Sequence, residues 1–294
     1  MSRKNKVCVV GSINMDLAVN AERMPEQGET ILGEGFAMSP GGKGANQAVA
    51  AARMGAEVEM IGAVGDDSFG RLLVSGLRDE GIRTEGVRTM PGTATGTATI
   101  ILSGGDNRII VAPGANQQVS PELVRTQKEK IAGSSVLLLQ LEIPIEAVTA
   151  AAEIASDHHV PIILNPAPYQ KVPGELVEAA SYITPNVVED MAMRQESFYS
   201  RIEHKLILTK GEEGAAYSAK GKMETIPSYQ VDVKDTTGAG DTFNGVLAAR
   251  LAAGESIPDA VAASNAAAAL SVTKTGAQAG MPTRAELEQF LKKE

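Results

Sequence analysis

The feature that most constrains the fold is a recurrence of short apolar runs, bounded by turn residues and in several cases separated by helix-like stretches. A strand buried on both faces of a parallel sheet reads as a continuous apolar run of about five residues, and parallel strands need a helical crossover. The pattern therefore predicts βαβ units around a mainly parallel sheet, an α/β fold. The runs are Val7–Val10, Val58–Ile61, Val136–Leu139, Pro161–Leu164, Tyr182–Thr184 and Leu206–Thr209.

Glycine and proline punctuate the predicted helices. Helices commonly end just before a glycine, and proline is favoured where a helix begins. The predicted helices are Ala45–Met54 before Gly55, Ser68–Glu80 before Gly81, Pro144 to about Asp157, Thr242 to about Ala253, and the alanine-rich stretch Ile257–Val272.

Two segments break this alternation and predict a small β lid inserted in the α/β body. Thr97–Leu102 and Arg108–Val111 are β-type runs joined by Ser-Gly-Gly-Asp-Asn, a pattern typical of a hairpin. Leu17–Asn20 and Glu29–Leu32 are candidate strands beside it. No long linker or repeat separates these segments from the rest, so we expect the lid to belong to one domain.

Composition excludes several classes of partner. The chain has 294 residues, enough for one large α/β domain, and its net charge of −9 argues against binding nucleic acid or an anionic membrane surface. A single Cys8 and three histidines cannot build a disulfide framework or a Cys/His zinc site. No apolar stretch approaches the roughly 18 residues of a membrane span. We therefore expect a soluble, cytoplasmic protein.

The strongest local motif is the segment Asp235-Thr236-Thr237-Gly238-Ala239-Gly240-Asp241, which precedes a helical pattern. Glycines at 238 and 240 allow a tight turn with exposed N–H groups, and the helix adds its positive N-terminal end, so the turn is a candidate anion hole. Asp241 at this end could take a proton from an attacking hydroxyl. From the residues alone, Asp241 could equally be a helix N-cap.

A second glycine-rich turn, Pro40-Gly41-Gly42-Lys43-Gly44-Ala45-Asn46-Gln47, also enters a helix. It is not a phosphate-binding P-loop, because Ala37 and Gly44 stand where that pattern requires glycine and Ser/Thr. Lys43 and Asn46 fall three residues apart on the first helical turn, a pairing that suits a polyhydroxyl ligand. A plain turn with an exposed lysine is the alternative.

Polar residues also follow several predicted strands. Asn14 and Asp16 come after the first strand, at the sheet edge where open α/β folds bind ligands, although an Asx-turn is equally compatible. The single Gly11 there argues against a dinucleotide fingerprint. Asn186 and Glu189 could organise a hydrated Mg²⁺, whereas a helix cap is the simpler interpretation of that spacing.

In this order the motifs resemble the ribokinase family of carbohydrate kinases, also called the PfkB type. The likeness runs from about Val7 to about Leu291, and its most specific pieces are GGKGANQA at 41–48, DTTGAGDTFNG at 235–245 and LNPAP at 164–168. The resemblance implies a three-layer α/β sandwich with a mainly parallel central sheet, a single domain over 1–294, and a lid formed by about 17–38 and 95–112. It also implies transfer of the γ-phosphoryl group of ATP to O5 of D-ribose.

The resemblance assigns roles to residues one by one. It implies that Asp241 is the catalytic base and that Gly238, Ala239 and Gly240 form the anion hole. The implied sugar-binding residues are Asn14, Asp16, Gly42, Lys43, Asn46, Glu142 and Asp241. The implied nucleotide contacts are Asn186, Thr209, Gly211, Gly214, Gly240 and Asn265, with Asn186 and Glu189 linked to Mg²⁺.

Two further properties follow from the resemblance. It implies a monovalent-cation site for K⁺ that consists mostly of main-chain oxygens. Gly280 stands where some relatives have a serine hydroxyl at this site. The resemblance also implies a homodimer paired through the lid. Two alternative functions stay open: a kinase for another small sugar or nucleoside such as fructose, deoxyribose or adenosine, or a non-catalytic sugar or nucleotide sensor. The implied cation-site residues are Asp235, Thr237, Ser271, Lys274 and Gly276.

Overall fold

The computed structural model describes residues 5–104, 106–219 and 221–293. Its strands are β1 (Lys6–Val10), β2 (Asn14–Asn20), β3 (Gly35–Gly41), β4 (Glu57–Gly65), β5 (Arg83–Met90), β6 (Gly96–Ser103), β7 (Asp106–Ala112), β8 (Val136–Leu139), β9 (Ile162–Leu164), β10 (Tyr182–Ile183), β11 (Ile207–Thr209), β12 (Ala215–Ala219) and β13 (Lys222–Ile226).

The helices of the described residues are α1 (Lys43–Arg53), α2 (Ser68–Asp79), α3 (Pro121–Thr126), α4 (Lys128–Ala132), α5 (Ile145–Asp157), α6 (Gly174–Ala179), α7 (Val187–Met193), α8 (Tyr199–Ile202), α9 (Ala239–Ala252), α10 (Ile257–Ser271), α11 (Ala277–Gly280) and α12 (Arg284–Leu291). The five predicted helices are present within a few residues, as α1, α2, α5, α9 and α10, and the other seven were not predicted.

The central sheet is parallel and has the strand order β10-β9-β8-β1-β4-β5. The chain builds it outward from β1 in one direction through β4 and β5, and later in the other direction through β8, β9 and β10. The order therefore reverses between β1 and β8, and the carboxyl ends of these two strands form the crevice in which open α/β sheets bind ligands.

Helices cover both faces of this sheet because its strands are apolar on both faces. Val7 and Val9 of β1 belong to one buried cluster with α1, α9 and α10, while Cys8 and Val10 belong to another with α5. Successive side chains of a strand point to opposite faces, so the continuous apolar run supplies both cores. The predicted three-layer α/β sandwich is confirmed.

A separate four-stranded sheet, ordered β3-β2-β6-β7, corresponds to the predicted lid. The hairpin of β6 and β7 is antiparallel as expected, although Gly105 of its turn lies outside the described residues. The strand expected at Glu29–Leu32 is wrong: the partner of β2 is β3, which begins at Gly35 opposite Asn20, where β2 ends. Residues 29–32 lie beyond that end and have no strand to pair with.

The remaining strands form an antiparallel sheet ordered β11-β12-β13. The predicted run at Leu206–Thr209 is a strand, but its ladder is antiparallel with β12 rather than part of the parallel sheet. Strand β11 is joined to the β10 edge of the parallel sheet by two isolated bridges, Ile183 to Leu206 and Asn186 to Thr209. Among the described residues, no helix has both the length and the apolar character needed to cross a membrane.

Candidate active site

The candidate site lies at the crevice between β1 and β8, where one carboxylate ties three segments together. Glu142, just beyond β8, accepts a hydrogen bond at Oε2 from the Ser12 hydroxyl at 2.5 Å and from the Lys43 backbone N–H at 3.0 Å. Ser12 follows β1, and Lys43 is the first residue of α1. The Glu142 carboxylate therefore satisfies an N–H that the first turn of α1 leaves free and fixes this helix over the crevice.

Two glycines let the turn before α1 approach β2 closely. Gly42 has φ +86°, and a β-carbon on it would lie 2.7 Å from the Asn14 backbone nitrogen. A β-carbon on Gly41 would overlap the Asp16 carboxylate. These positions therefore require glycine, and they bring Asn14, Asp16 and the start of α1 into one group.

The Asn14 side chain is oriented by a residue that the sequence did not single out. Asn116, buried near β6, donates from Nδ2 to Asn14 Oδ1 at 2.7 Å and accepts from the Ile13 N–H at 2.9 Å. Because Asn14 Oδ1 is the acceptor in this contact, its amide N–H₂ group is left to face the crevice as a donor.

Asp241, on helix α9, lies next to the residues at the start of α1. Helix α9 begins at Ala239, after Gly238 at φ +79°, so Asp241 is its third residue and not its N-cap. The Asp241 side chain is 8% exposed and accepts hydrogen bonds from Asn46 Nδ2 and Gln47 Nε2, each at 2.9 Å. The N-cap alternative for Asp241 is therefore wrong, because the carboxylate points away from the helix end toward α1.

The charges of the site are strongly coupled. The pKa of Lys43 is raised, first by the Asp241 carboxylate and further by Glu142, Glu189 and Asp16, against the opposing effect of burial. Burial, with the neighbouring Glu142 and Asp241 carboxylates, raises the pKa of Asp16 to about 7, although Lys43 opposes this shift. One ammonium thus lies within interaction range of the carboxylates predicted for sugar binding, for catalysis and for Mg²⁺.

The turn at Gly238, Ala239 and Gly240 has open space on one side. A β-carbon on Gly240 would meet no atom within 4 Å, whereas one on Gly238 would lie 2.9 Å from Ala277 Cα. The Ala239 N–H already donates to the Thr236 carbonyl at 3.2 Å. Among the described residues, the N–H groups of Gly238, Gly240 and Asp241 have no acceptor, so these are the donors left free at this end.

Asn186 and Glu189 form a capping box at the start of α7. Asn186 Oδ1 accepts from the Glu189 N–H at 2.9 Å, and Glu189 Oε2 accepts from the Asn186 N–H at 2.8 Å. The cap interpretation is thus confirmed. Burial raises the pKa of Glu189 and the Asp241 carboxylate raises it further, whereas the Asn186 N–H and the Lys43 ammonium lower it. Glu189 is therefore within interaction range of Lys43 and Asp241 while it caps the helix.

The predicted nucleotide contacts lie beside this cap. Thr209 donates its N–H to the Pro185 carbonyl at 3.0 Å, which sets the end of β11 next to Asn186. Gly211 and Gly214 have φ +59° and +96°. Asn265 lies on α10 and donates from Nδ2 to the Ile226 carbonyl at 2.9 Å, so its amide nitrogen already holds the end of β13.

The predicted cation-site residues converge on Asp235 and α11. Asp235 accepts from the Thr237 N–H at 2.9 Å and from the Gly276 N–H at 2.8 Å, and these bonds lower its pKa in spite of partial burial. A β-carbon on Gly280 would lie 2.5 Å from the Ser271 carbonyl oxygen and 3.6 Å from that of Lys274. Two main-chain oxygens therefore approach the space that a side chain at 280 would fill.

Comparison with known proteins agrees with this architecture. The model of the pfkB family of carbohydrate kinases matches residues 4–284, so the chain belongs to that family. It is 45% identical to a ribokinase of Bacillus subtilis, covering 97% of this chain and 99% of the relative, and 43% identical to a ribokinase of Lactococcus lactis, covering 98% and 97%. The structure of Arabidopsis thaliana ribokinase complexed with ribose and ATP superposes with a TM-score of 0.91 at 32% identity, covering 99% of each chain. The predicted family is confirmed.

Proposed function

We propose that the chain is an ATP-dependent kinase that phosphorylates D-ribose at O5 to give D-ribose 5-phosphate. The observation that carries the proposal is the Asp241 carboxylate, buried in the first turn of α9 and hydrogen-bonded to Asn46 at 2.9 Å. It joins the candidate base to the candidate sugar site. Full-length relatives that bear the name ribokinase support ribose as the sugar.

The sugar would lie among Asn14, Asp16, Gly42, Lys43, Asn46 and Glu142. An ionised Asp16 accepts hydrogen bonds from sugar hydroxyls, while the free N–H₂ of Asn14 and the Lys43 ammonium donate to them. A polar set of this kind rejects a poorly matched ligand, because buried groups would be left without partners.

The chemistry then requires removal of a proton from the attacking hydroxyl. Asp241 accepts that proton, and the free N–H groups of Gly240 and Asp241 face the negative charge that develops during transfer. A sensor would need no base at this position, so the buried carboxylate favours a kinase over a non-catalytic sugar or nucleotide sensor.

ATP would lie along Thr209, Gly211, Gly214 and Asn265, with its phosphates toward Asn186 and the Gly238–Gly240 turn. Glu189 and Asn186 offer the hard oxygen ligands that Mg²⁺ prefers, and the capping box leaves Glu189 Oε1 available. A bound Mg²⁺ supplies positive charge that neutralises the transferring phosphates.

We further assign K⁺ to the oxygens around Gly280. Main-chain carbonyls of Thr237, Ser271, Lys274 and Gly276 suit a large, weakly hydrated cation, and Asp235 supplies the negative charge. The close approach of the Ser271 and Lys274 oxygens to Gly280 supports the site without the serine that some relatives have. Because Gly238 packs on Ala277 of α11, such an ion would order the anion-hole turn.

The proposal also includes a homodimeric assembly and a cytoplasmic location. We expect a homodimer formed through the lid sheet, whose exposed face carries large apolar side chains such as Phe36 and Ile110. A single buried Cys8 suits the reducing cytoplasm.

A direct test is ATP consumption with Mg²⁺ over a panel of D-ribose, deoxyribose, fructose, fructose 6-phosphate and adenosine. We expect the highest kcat/KM for D-ribose. A higher value for adenosine or a hexose phosphate would make the substrate assignment wrong, and no turnover of any member would favour the sensor.

A further inference from the structure

Behind the candidate active site lies a buried network of amide and hydroxyl side chains that has no contact with the sugar or the nucleotide in the proposed arrangement. Each member is no more than 6% exposed. They come from five different parts of the fold: α1, the ends of β8, β9 and β10, and α9. The members are Gln47, Gln140, Asn165, Thr184 and Asn244.

The first end of the network is Asp241. Gln47 Nε2 donates to Asp241 Oδ1 at 2.9 Å and to Asn165 Oδ1 at 3.0 Å, so both of its amide hydrogens are used. Asn165 Nδ2 in turn donates to the Thr184 carbonyl at 2.9 Å. The carboxylate is thus held through α1 to the carboxyl ends of two strands of the central sheet.

The second end is the backbone of the anion-hole turn. The Thr184 hydroxyl donates to Asn244 Oδ1, and Asn244 Nδ2 donates to the Gly240 carbonyl at 2.9 Å. This carbonyl belongs to the same peptide unit as the Asp241 N–H, one of the free donors of the turn. Because a peptide is planar, fixing the carbonyl also fixes the direction of that N–H.

Asp241 sets the orientation of the Gln47, Asn165 and Gln140 amides, whereas the Gly240 carbonyl sets that of Asn244. A carboxylate can only accept, so Gln47 must present Nε2 to it, and Gln47 Oε1 then accepts from Gln140 Nε2 at 2.7 Å. Gln140 Oε1 is left without a hydrogen-bond partner among the residues that the structure describes. A buried acceptor without a partner is unfavourable for stability, which points to a functional reason for this arrangement of donors and acceptors.

On the basis of the kinase function proposed above, we propose that Gln47 and Asn244 are positioning residues, linked through Asn165 and Thr184, that hold the Asp241 carboxylate and the Asp241 N–H in the geometry needed for phosphoryl transfer. Gln47 acts on the base, because its Nε2 donates to the Asp241 carboxylate at 2.9 Å. Asn244 acts on the Asp241 N–H, through the Gly240 carbonyl, and not on the Asp241 carboxylate.

Two substitutions test the two ends separately. Gln47→Met keeps the length of the side chain and removes its donor, so we expect kcat to fall about 10- to 100-fold while the affinity for ribose changes less than about threefold. Thr184→Val is expected to lower kcat about 10-fold, again with little change in the affinity for ribose.

Matched controls separate positioning from folding. Thr184→Ser keeps the hydroxyl and restores kcat to within about twofold of the parent. Gln127→Leu removes a buried amide of the α3–α4 junction, far from the network, and leaves kcat unchanged. If Gln47→Met and Thr184→Val both keep kcat within about twofold, the positioning role is wrong.

A second measurement does not depend on which sugar the protein phosphorylates. The loss of Tm caused by Gln47→Met is expected to be larger in the parent than in the Asp241→Asn background, because the amide oxygen of Asn accepts a weaker hydrogen bond from Gln47 than the carboxylate does. A Tm loss that is equal in the two backgrounds overturns the coupling. Failure of the parent protein to phosphorylate ribose would instead overturn the proposed function and leave this result standing.

Discussion

In the proposed reaction Asp241 has the most demanding role of any single residue, because it would accept a proton from a sugar hydroxyl. Asp241→Asn keeps the shape but removes the basic oxygen. We expect kcat to fall about 10²- to 10⁴-fold, the span usual for a general base. Ribose affinity, measured by calorimetry, is expected to change much less. Near-normal turnover of this variant would show that the carboxylate serves only to hold α1 and α9 together.

Asp16 makes stability and sugar binding depend on pH in opposite directions. Its pKa is about 7 in the folded protein against an ordinary value of 3.8. Between these values the folded state holds a proton that the unfolded state has lost, so stability falls as pH rises toward 7 and stays low above it. If Asp16 binds the sugar as proposed, we expect ribose affinity to have the reverse dependence, because the ionised carboxylate is the better acceptor.

Asp16→Asn removes this titration. We expect the variant to be more stable than the parent by up to about 4 kcal/mol above pH 7, with the difference shrinking toward pH 4. The ribose KM is expected to rise about 10- to 100-fold, as for loss of a charge-assisted hydrogen bond. Chemical unfolding at pH 4, 6 and 8 checks the first expectation. A stability difference that does not vary with pH would contradict the raised pKa.

At the scale of elements, the short helix α11 links the proposed cation site to the anion hole. Gly280→Ala would push its β-carbon against the Ser271 carbonyl, 2.5 Å away, and displace an oxygen proposed to bind K⁺. We expect K⁺ activation at constant ionic strength to be lost or to require about 10-fold more K⁺. Gly76→Ala in α2, where a β-carbon meets nothing within 4 Å, is the matched control. Equal rates of the parent in Na⁺ and K⁺ would refute the cation assignment.

The strand register of the lid sheet shows which side chains share a face. Met38 pairs with Leu17, Leu17 with Thr99 and Thr99 with Ile110, whereas Asp16 lies one residue along β2. Because side chains alternate between faces, Met38 and Ile110 lie on the face opposite Asp16. The face with Asp16 is the one proposed to turn toward the sugar site, and the opposite, outer face carries Met38 and Ile110. The Asp16 face also has an exposed apolar side chain, since Val111 pairs with Ala98 and is 49% exposed.

At the scale of the whole molecule, this outer face predicts the assembly. Phe36, Met38 and Ile110 are 66, 54 and 68% exposed. The edges of the sheet are β3 and β7, whereas β6 is paired on both sides by β2 and β7. Because exposed apolar surface and free edges favour association, we expect a second copy of the chain to cover this sheet.

We expect light scattering to give twice the monomer mass at micromolar concentration, and Ile110→Asp to give the monomer mass, since a charge on the apolar face would be buried without a partner. Leu72→Asp, on the exposed side of α2 at 57% exposure, is the control and is expected to leave the dimer intact. A parent protein that is monomeric under these conditions would rule out pairing through the lid.

Much of the fold could be predicted from local pattern. The apolar runs of β1 and β8 predict buried parallel strands, and the glycine-rich turns before α1 and α9 mark where the site lies, because these properties depend on neighbours in the chain. The strand expected at Glu29–Leu32 is the informative error. Local β propensity favours it, but pairing with β2, a contact between distant segments, selects residues 35–41 instead.

The sequence by itself determined the layered α/β architecture, the family and the residue types of the site. Only the tertiary structure decided that Asp241 is not a helix cap and which side chains hold it, since Asn46 and Gln47 are 195 and 194 residues away along the chain. Asn165 and Asn244 lie inside the motifs that carry the family resemblance, yet their roles could not be deduced from them. A hydrogen bond between side chains depends on distance and direction in space, and these are set only when helices and strands from both halves of the chain pack on one sheet.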